Sequence, residues 1–437
     1  MKNFASAAAL ALCCAAVLTA QAVDDTQLKQ VIVFGRHSVR SSVAPTSYLD
    51  TVAAQPYADF GVSGPGILTP NGKTLETLLG GYYRLRLTQE GLLTGNDSAD
   101  ANFVYFRANV LERTIDTAKA LAAGLLPAAN VNVNSYGPTQ SDPLFDAVGA
   151  GVSQVDLEKA LAAVQGRVGA NGESLSAAYA AELALLRATL FGYPPGQSPV
   201  PPVPAGKIDV TAIPMDITLG TSATMVNLGG LSQVVEALDP FLMEYADGMP
   251  ASSVGWGRLN AAGISQTLRL YNLTLDLQNR TPYVASVVSS NLASHVVRSM
   301  VQASTGNAMP GSLGTPSTKL IVLIASDTNI GAFASLYHLD WILPGYPSNT
   351  CSPGGAIVFE LRQSQSTGEY IIRASYIGQT LDQLRNLTPL TLAAPPASAP
   401  LFIPGCSQRN ATFDCRLTDF VRISNQVIDP RSADLVN

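Results

Sequence analysis

Three short polar segments each follow an apolar run, and together they hold the side chains needed to handle a phosphate ester. Residues 30–34 (QVIVF) lead into Gly35-Arg36-His37-Ser38-Val39-Arg40. Residues 103–106 (FVYF) lead within a turn or two to Glu112-Arg113-Thr114, and residues 319–324 (KLIVLI) to Ser326-Asp327-Thr328-Asn329. Guanidinium forks match phosphate oxygens bidentately. A neutral imidazole can attack phosphorus, and a carboxylic acid can protonate a leaving alcohol. Singly, each feature has a plainer explanation. An RHxxR string arises by chance in roughly a few per cent of chains this long. A lone histidine is more often structural, an Asp after a strand usually caps a helix, and an arginine on a helix is usually solvated. Placement at successive strand ends is what joins them, because open α/β sheets bind ligands at the carboxyl ends of their strands.

The composition fits that chemistry and excludes others. The chain has 437 residues, 47% hydrophobic and only 13% charged. That is about half the usual share of charge for a soluble domain, and the chain is too apolar for disorder. The length allows one large core, or a core plus a smaller second domain. A net charge of −6 argues against nucleic acid or an anionic membrane as the partner. Three histidines and five cysteines leave little material for a transition-metal site, so no metal or cofactor is expected. Residues 1–22 read as a signal peptide. Lys2 precedes an apolar stretch over 7–18, and Ala20-Gln21-Ala22 fits a cleavage site after Ala22. The apolar stretch is shorter than the ~20 residues a membrane span needs. The mature protein is therefore expected to be periplasmic or secreted and free of the membrane. Cys13 and Cys14 leave with the peptide; Cys406 and Cys415 bracket a short loop and form the natural pair, and Cys351 is left as a free thiol.

The elements that must position these residues follow from patterning. Continuous rather than alternating apolarity marks strands covered on both faces, as in a parallel sheet. Thr69 and Pro70 open a helix with the apolar stripe Leu75, Leu78, Leu79, Tyr82 and Tyr83. Residues 108–125 read as another helix. Residues 153–190 are Ala/Leu-rich and helical, 192–206 form a Pro-rich irregular connection, and 228–249 and 260–277 are helical. The expected architecture is α/β, a mostly parallel mixed sheet flanked by helices. It is built from residues 23–152 and 279–437, with a smaller, mostly α-helical insertion domain over 153–278.

These residues resemble the histidine acid phosphatases, in the bacterial branch that holds periplasmic phytases and glucose-1-phosphatases. The likeness runs through nearly the whole mature chain. RHSVR at 36–40 is similar to the family's RHGxR, and 68–86 (LTPNGKTLETLLGGYYRLR) to the helix that follows it. ERT at 112–114 resembles the segment carrying the third arginine. DPLF at 142–145, LMEYADGMPASSVGWGR at 242–258 and the final GC…RN…C loop also resemble family segments. SDTN at 326–329 stands where the family has HDTN. The resemblance implies hydrolysis of a small-molecule phosphomonoester with no cofactor. His37 is then the nucleophile that becomes a phosphohistidine and Asp327 the proton donor, with Arg36, Arg40, Arg113 and Ser326 binding the phosphate. Three departures accompany it. Ser38 replaces a glycine. Ser153 replaces a cysteine whose C-terminal partner is also missing. Ser326 replaces the histidine of the His-Asp pair, which leaves an alternative: a catalytically impaired relative that binds phosphate esters. Ser41, Ser42, Val43 and Ala44, none of them basic, favour small monoesters over phytate. His295 and His338 read as structural, and the oligomeric state is not legible.

Overall fold

The computed structural model describes residues 24–169 and 172–434; the expected signal peptide, 1–22, lies outside them. Ten strands occur among these residues: β1 (Thr26–Arg36), β2 (Val104–Ala108), β3 (Val133–Asn134), β4 (Thr218–Leu219), β5 (Val226–Asn227), β6 (Leu320–Ala325), β7 (Ala356–Ser364), β8 (Tyr370–Gly378), β9 (Ala397–Pro400) and β10 (Cys415–Arg416). Eight of them form one sheet in the order β10-β8-β7-β1-β6-β2-β3, with β9 sharing the outer edge of β8. β1, β6, β2 and β3 run parallel. β7 to β10 add an antiparallel wing.

The two central strands show why their sequences lack alternation. Successive side chains point to opposite faces. Ile32 and Phe34 of β1, with Ile321 and Leu323 of β6, enter one apolar core. Val31 and Val33, with Leu320 and Val322, enter a second core on the other face. Helices α1 (Pro70–Gln89) and α2 (Glu112–Leu125) cover the second face through Leu79, Tyr83, Leu121 and Leu125. They lie close because Gly80 and Gly124 face each other's helices: a Cβ on Gly124 would stand 2.0 Å from the Thr77 carbonyl oxygen. Thr69 caps α1 as expected, its Oγ1 accepting the Gly72 N–H at 2.9 Å.

The other face is covered by α3 (Leu157–Val168), α4 (Ala180–Phe191), α5 (Gly230–Ala246), α6 (Ala261–Gln278), α7 (Pro282–Thr305), α8 (Asp327–Leu336) and α9 (Leu417–Val427). Apolar side chains of the 153–278 segment, among them Leu186, Phe241 and Leu268, join the same buried cluster as Phe34 of the sheet. The Pro-rich stretch after α4 carries no helix or strand up to residue 206, as proline's missing donor dictates. Among the described residues no helix is long and apolar enough to cross a membrane.

Cysteine usage matches the reading of the sequence. Cys406 and Cys415 are disulfide-bonded, and Cys351 is free and buried. His295 is partly buried, its Nδ1–H donated to the Gly311 carbonyl. His338 is not a packing residue: it lies beyond the end of α8 at φ 52, exposed to solvent. Ser153, where the resemblance expects a cysteine, donates a buried hydrogen bond of 2.8 Å to Ser432, 279 residues along the chain. Two hydroxyls thus occupy a long-range contact that a covalent link could make. The Ser153→Cys/Ser432→Cys double variant is expected to oxidise without a partner thiol. It should gain about 2–4 kcal/mol of stability from the constrained unfolded chain, read by thiol titration and by urea unfolding with and without reductant.

Candidate active site

The sheet's register brings the three polar segments to one edge. Arg36, the last residue of β1, pairs with Ala325, the last of β6. The His37 N–H donates to the Ala325 carbonyl at 2.9 Å, and the Asn109 N–H, just past β2, donates to the Ile324 carbonyl at 2.9 Å. All six residues singled out in the sequence stand at or just beyond this edge.

Burial then forces the charges to pair. The Arg36 side chain is 1% exposed and lies 2.8 Å from Asp327 Oδ2. Its Nη1 donates to the Cys351 carbonyl at 2.6 Å and its Nη2 to the Tyr271 hydroxyl at 3.3 Å. Arg40 grips Asp239 with both ends of its fork, at 2.8 and 3.0 Å. Arg113 projects from the first turn of α2 into the same field, half-buried, and its Nε has no hydrogen-bond partner. Burial, and then Arg40 beside it, lowers its pKa to about 10. It remains a cation, and among the described residues it is the member of the trio with no carboxylate in ion-pair contact.

His37 is 2% exposed. Its Nδ1 lies 2.8 Å from the Ser38 carbonyl. A carbonyl only accepts, so the proton sits on Nδ1 and Nε2 carries the lone pair. Burial, then Arg36, Arg40 and Arg113 in turn, holds the imidazole well below its ordinary pKa. It therefore stays neutral under conditions where a free histidine would be charged.

Asp327 begins α8, and the helix positions it. Burial alone would raise its carboxyl, but Arg36 and a hydrogen bond donated by the Tyr271 hydroxyl bring it below the usual range. Ser326, the residue before the helix, uses its hydroxyl locally. Its Oγ donates to Asn329 Oδ1 at 2.7 Å, while Asn329 Nδ2 donates to the Phe145 carbonyl at 2.7 Å. Ser326 and Thr328 border a cavity of about 460 Å³ with Asn109, Thr224, Gln278 and Asn279.

Sequence reasoning missed three contributors: Asp239 on α5, Tyr271 on α6 and the Cys351 carbonyl. An acid inside the apolar run VVEALDPFLM was a usable signal for Asp239, because a charge buried in such a helix needs a partner. Tyr271 and the carbonyl carried no signal. The Arg40–Asp239 pair yields a direct test. Asp239→Ala leaves a buried guanidinium alone and should cost about 3–5 kcal/mol. Inorganic phosphate should recover more of the urea midpoint in this variant than it adds to the wild type, since the dianion replaces the lost carboxylate.

Comparison with known proteins agrees with this geometry. A family model for the histidine phosphatase superfamily (branch 2) matches residues 27–175. The chain is 31% identical over 414 residues to the phytase AppA of Escherichia coli (strain K12), spanning 94% of each chain. It is 26% identical over 407 residues to a glucose-1-phosphatase of Providencia rettgeri, spanning 93% of each. The structure of Hafnia alvei phytase in complex with tartrate superposes with a TM-score of 0.84 at 32% identity, covering 94% of this chain and 99% of that one. With a fold, a strand-end cluster and a full-length likeness in agreement, the chain belongs to the histidine phosphatase superfamily, branch 2, and is a phosphoric monoester hydrolase of the histidine acid phosphatase type.

Proposed function

We propose that this protein is an exported acid phosphatase in which His37 is the nucleophile, Asp327 the proton donor, and Arg36, Arg40, Arg113 and Ser326 the phosphate-binding residues. The observation that carries this reading is the placement of His37: its Nδ1 lies 2.8 Å from the Ser38 carbonyl, which leaves Nε2 with the lone pair, and burial and three guanidiniums push the imidazole's pKa well down. Nε2 attacks phosphorus in line, the ester P–O bond breaks, and Asp327 passes its proton to the departing alkoxide. Water then attacks the phosphohistidine, returning a proton to Asp327 and releasing phosphate and neutral imidazole. The arginines hold the charge that spreads over the equatorial oxygens. In the free site Arg36 holds Asp327 as a carboxylate. A bound phosphate draws Arg36 onto its own oxygens and sets negative charge beside Asp327, and both effects raise its affinity for a proton. That coupling favours acidic conditions.

Export is proposed from the leader-like composition of 1–22 and suits the Cys406–Cys415 disulfide. The 153–278 segment is proposed as a cap domain that completes the site from above, since it supplies Asp239 and Tyr271. The spaces flanking the site favour a compact, weakly charged alcohol over a polyphosphate. The cavity beside Ser326 is lined by apolar side chains such as Phe145, Met225 and Val288, by amides and hydroxyls, and by Asp142 and Asp146, with no lysine or arginine. A second, of about 530 Å³ beyond Ser41 and Ser42, has Asp59 as its charged residue. The reading as an impaired binder draws on Ser326, which supplies no positive charge. Loss of one such donor elsewhere costs on the order of 10²–10³ in rate, which slows an enzyme without stopping it.

The deciding measurement is turnover of p-nitrophenyl phosphate, glucose 1-phosphate and phytate near pH 5. His37→Ala is expected to abolish release of phosphate from all three, and the two small esters should show the higher kcat/KM. Activity that survives His37→Ala removes the mechanism; phytate as the best substrate removes the substrate reading. The pH profile gives an independent check. Because the arginines depress the imidazole, the acid limb of kcat/KM should lie below the ordinary histidine value. Arg113→Gln removes one of those charges, so its acid limb should move to higher pH while kcat/KM falls by about 10²–10³.

A further inference from the structure

Behind the nucleophile's loop lies a buried acid that the mechanism does not use. Glu76, on α1, is 1% exposed, and neither of its carboxyl oxygens has a hydrogen-bond partner among the described residues. It sits against the two residues that hold His37. A Cβ built on Gly354 would stand 2.2 Å from Glu76 Oε1, so the carboxyl fills the space that this glycine leaves open. The Gly354 N–H in turn donates to the His37 carbonyl at 3.2 Å. On the other side stands Ser38, whose carbonyl receives the His37 Nδ1–H. The Ser38 hydroxyl is fully buried and has no hydrogen-bond partner among the described residues, yet it stands near enough to Glu76 to act on its carboxyl.

We propose that Glu76 is a positioning residue for His37: its carboxyl braces Ser38 and Gly354, which between them fix the tautomer of the nucleophile's ring and the place of its backbone.

The chemistry of a neutral carboxyl suits the task. Burial pushes Glu76 up to about 8, so at the acidic pH of the proposed reaction it is an uncharged acid with one donor and acceptor capacity to spare. The titratable group that feels it is Tyr83, two turns along on the same face of the helix, whose hydroxyl is also buried and unpartnered among the described residues. Among the described residues no lysine, arginine or histidine stands in ion-pair contact with Glu76. A small turn of its carboxyl toward Ser38 satisfies both groups, and active-site hydrogen bonds that are long in the free enzyme commonly tighten with substrate bound. An unsatisfied buried pair has no other gain to offset its desolvation.

The inference rests on His37 as the nucleophile, and the His37→Ala control above tests that separately. With p-nitrophenyl phosphate, Glu76→Leu should lower kcat about tenfold or more while KM stays within about twofold, as expected when the nucleophile rather than the phosphate clamp is misplaced. Glu76→Gln keeps a neutral donor and acceptor of the same shape and should restore most of kcat. Ser38→Ala, a truncation that the loop tolerates sterically, should lower kcat, and Glu76→Leu combined with Ser38→Ala should lose no more than the worse single variant. Wild-type kcat in folded Glu76→Leu, equal loss in the Leu and Gln variants, or multiplicative losses in the double variant would each overturn the proposal. If Glu76→Leu fails to fold, the Ser38→Ala and Glu76→Gln kinetics decide: Ser38→Ala with wild-type kcat sinks it.

Discussion

The structure depends on burying positive charge at the edge of an apolar sheet. A guanidinium removed from water is costly unless it is paired and hydrogen-bonded. Arg36, at the end of a strand whose neighbours are among the most buried residues in the chain, meets that demand with Asp327, Tyr271 and the Cys351 carbonyl. Arg40 meets it with Asp239. Those partners come from four separate stretches of chain, so the pairing draws α5, α6, α8 and the loop before β7 onto the same sheet edge. The helical segment is therefore tied to the sheet by charge as well as by the apolar cluster they share.

The same arrangement sets the reactivity of His37. An imidazole left in water would be protonated through much of the acidic range where a carboxylic acid can act as a proton donor. Burial and three nearby guanidiniums remove that conflict by favouring the neutral ring. The Ser38 carbonyl then selects the tautomer. The same cations lower both groups: they favour the neutral imidazole, and Arg36 holds Asp327 as a carboxylate in the free site. In the proposed reaction phosphate competes with Asp327 for Arg36, which raises the affinity of that acid for a proton.

What was legible in the sequence was local. Strands β1, β2 and β6 announced themselves because burial on both faces demands continuous apolar runs, and the residues that follow such strands must lie at the sheet's edge. This placed His37, Asp327 and the three arginines without knowledge of any contact. The helix from Pro70 was legible through its cap and first-turn proline. The counterions were not, since Arg40 and Asp239 are 199 residues apart and Asp239 is one of three acids on its helix, none of which names its partner. Tyr271 reads as one more half-buried aromatic. Glu76 was hidden by the stripe it interrupts, and His338 was misplaced because the chain turns out of α8 with a left-handed residue that apolar patterning does not forecast.

Ser326 matters most for the balance of charge. Arg36, Arg40 and Arg113 bring three positive charges, and Asp327 and Asp239 remove two, with His37 neutral. The free site is therefore close to singly positive. A second, protonated histidine in place of Ser326 would make it doubly positive, the charge that matches a phosphate dianion. With serine there, a dianion leaves the buried site with excess negative charge. In the proposed reaction Asp327 shares Arg36 with the incoming phosphate, so that excess charge favours a proton on Asp327, the group proposed to deliver it to the leaving alcohol. On that reading, serine in place of the histidine takes one positive charge from the site and couples substrate binding more tightly to protonation of Asp327.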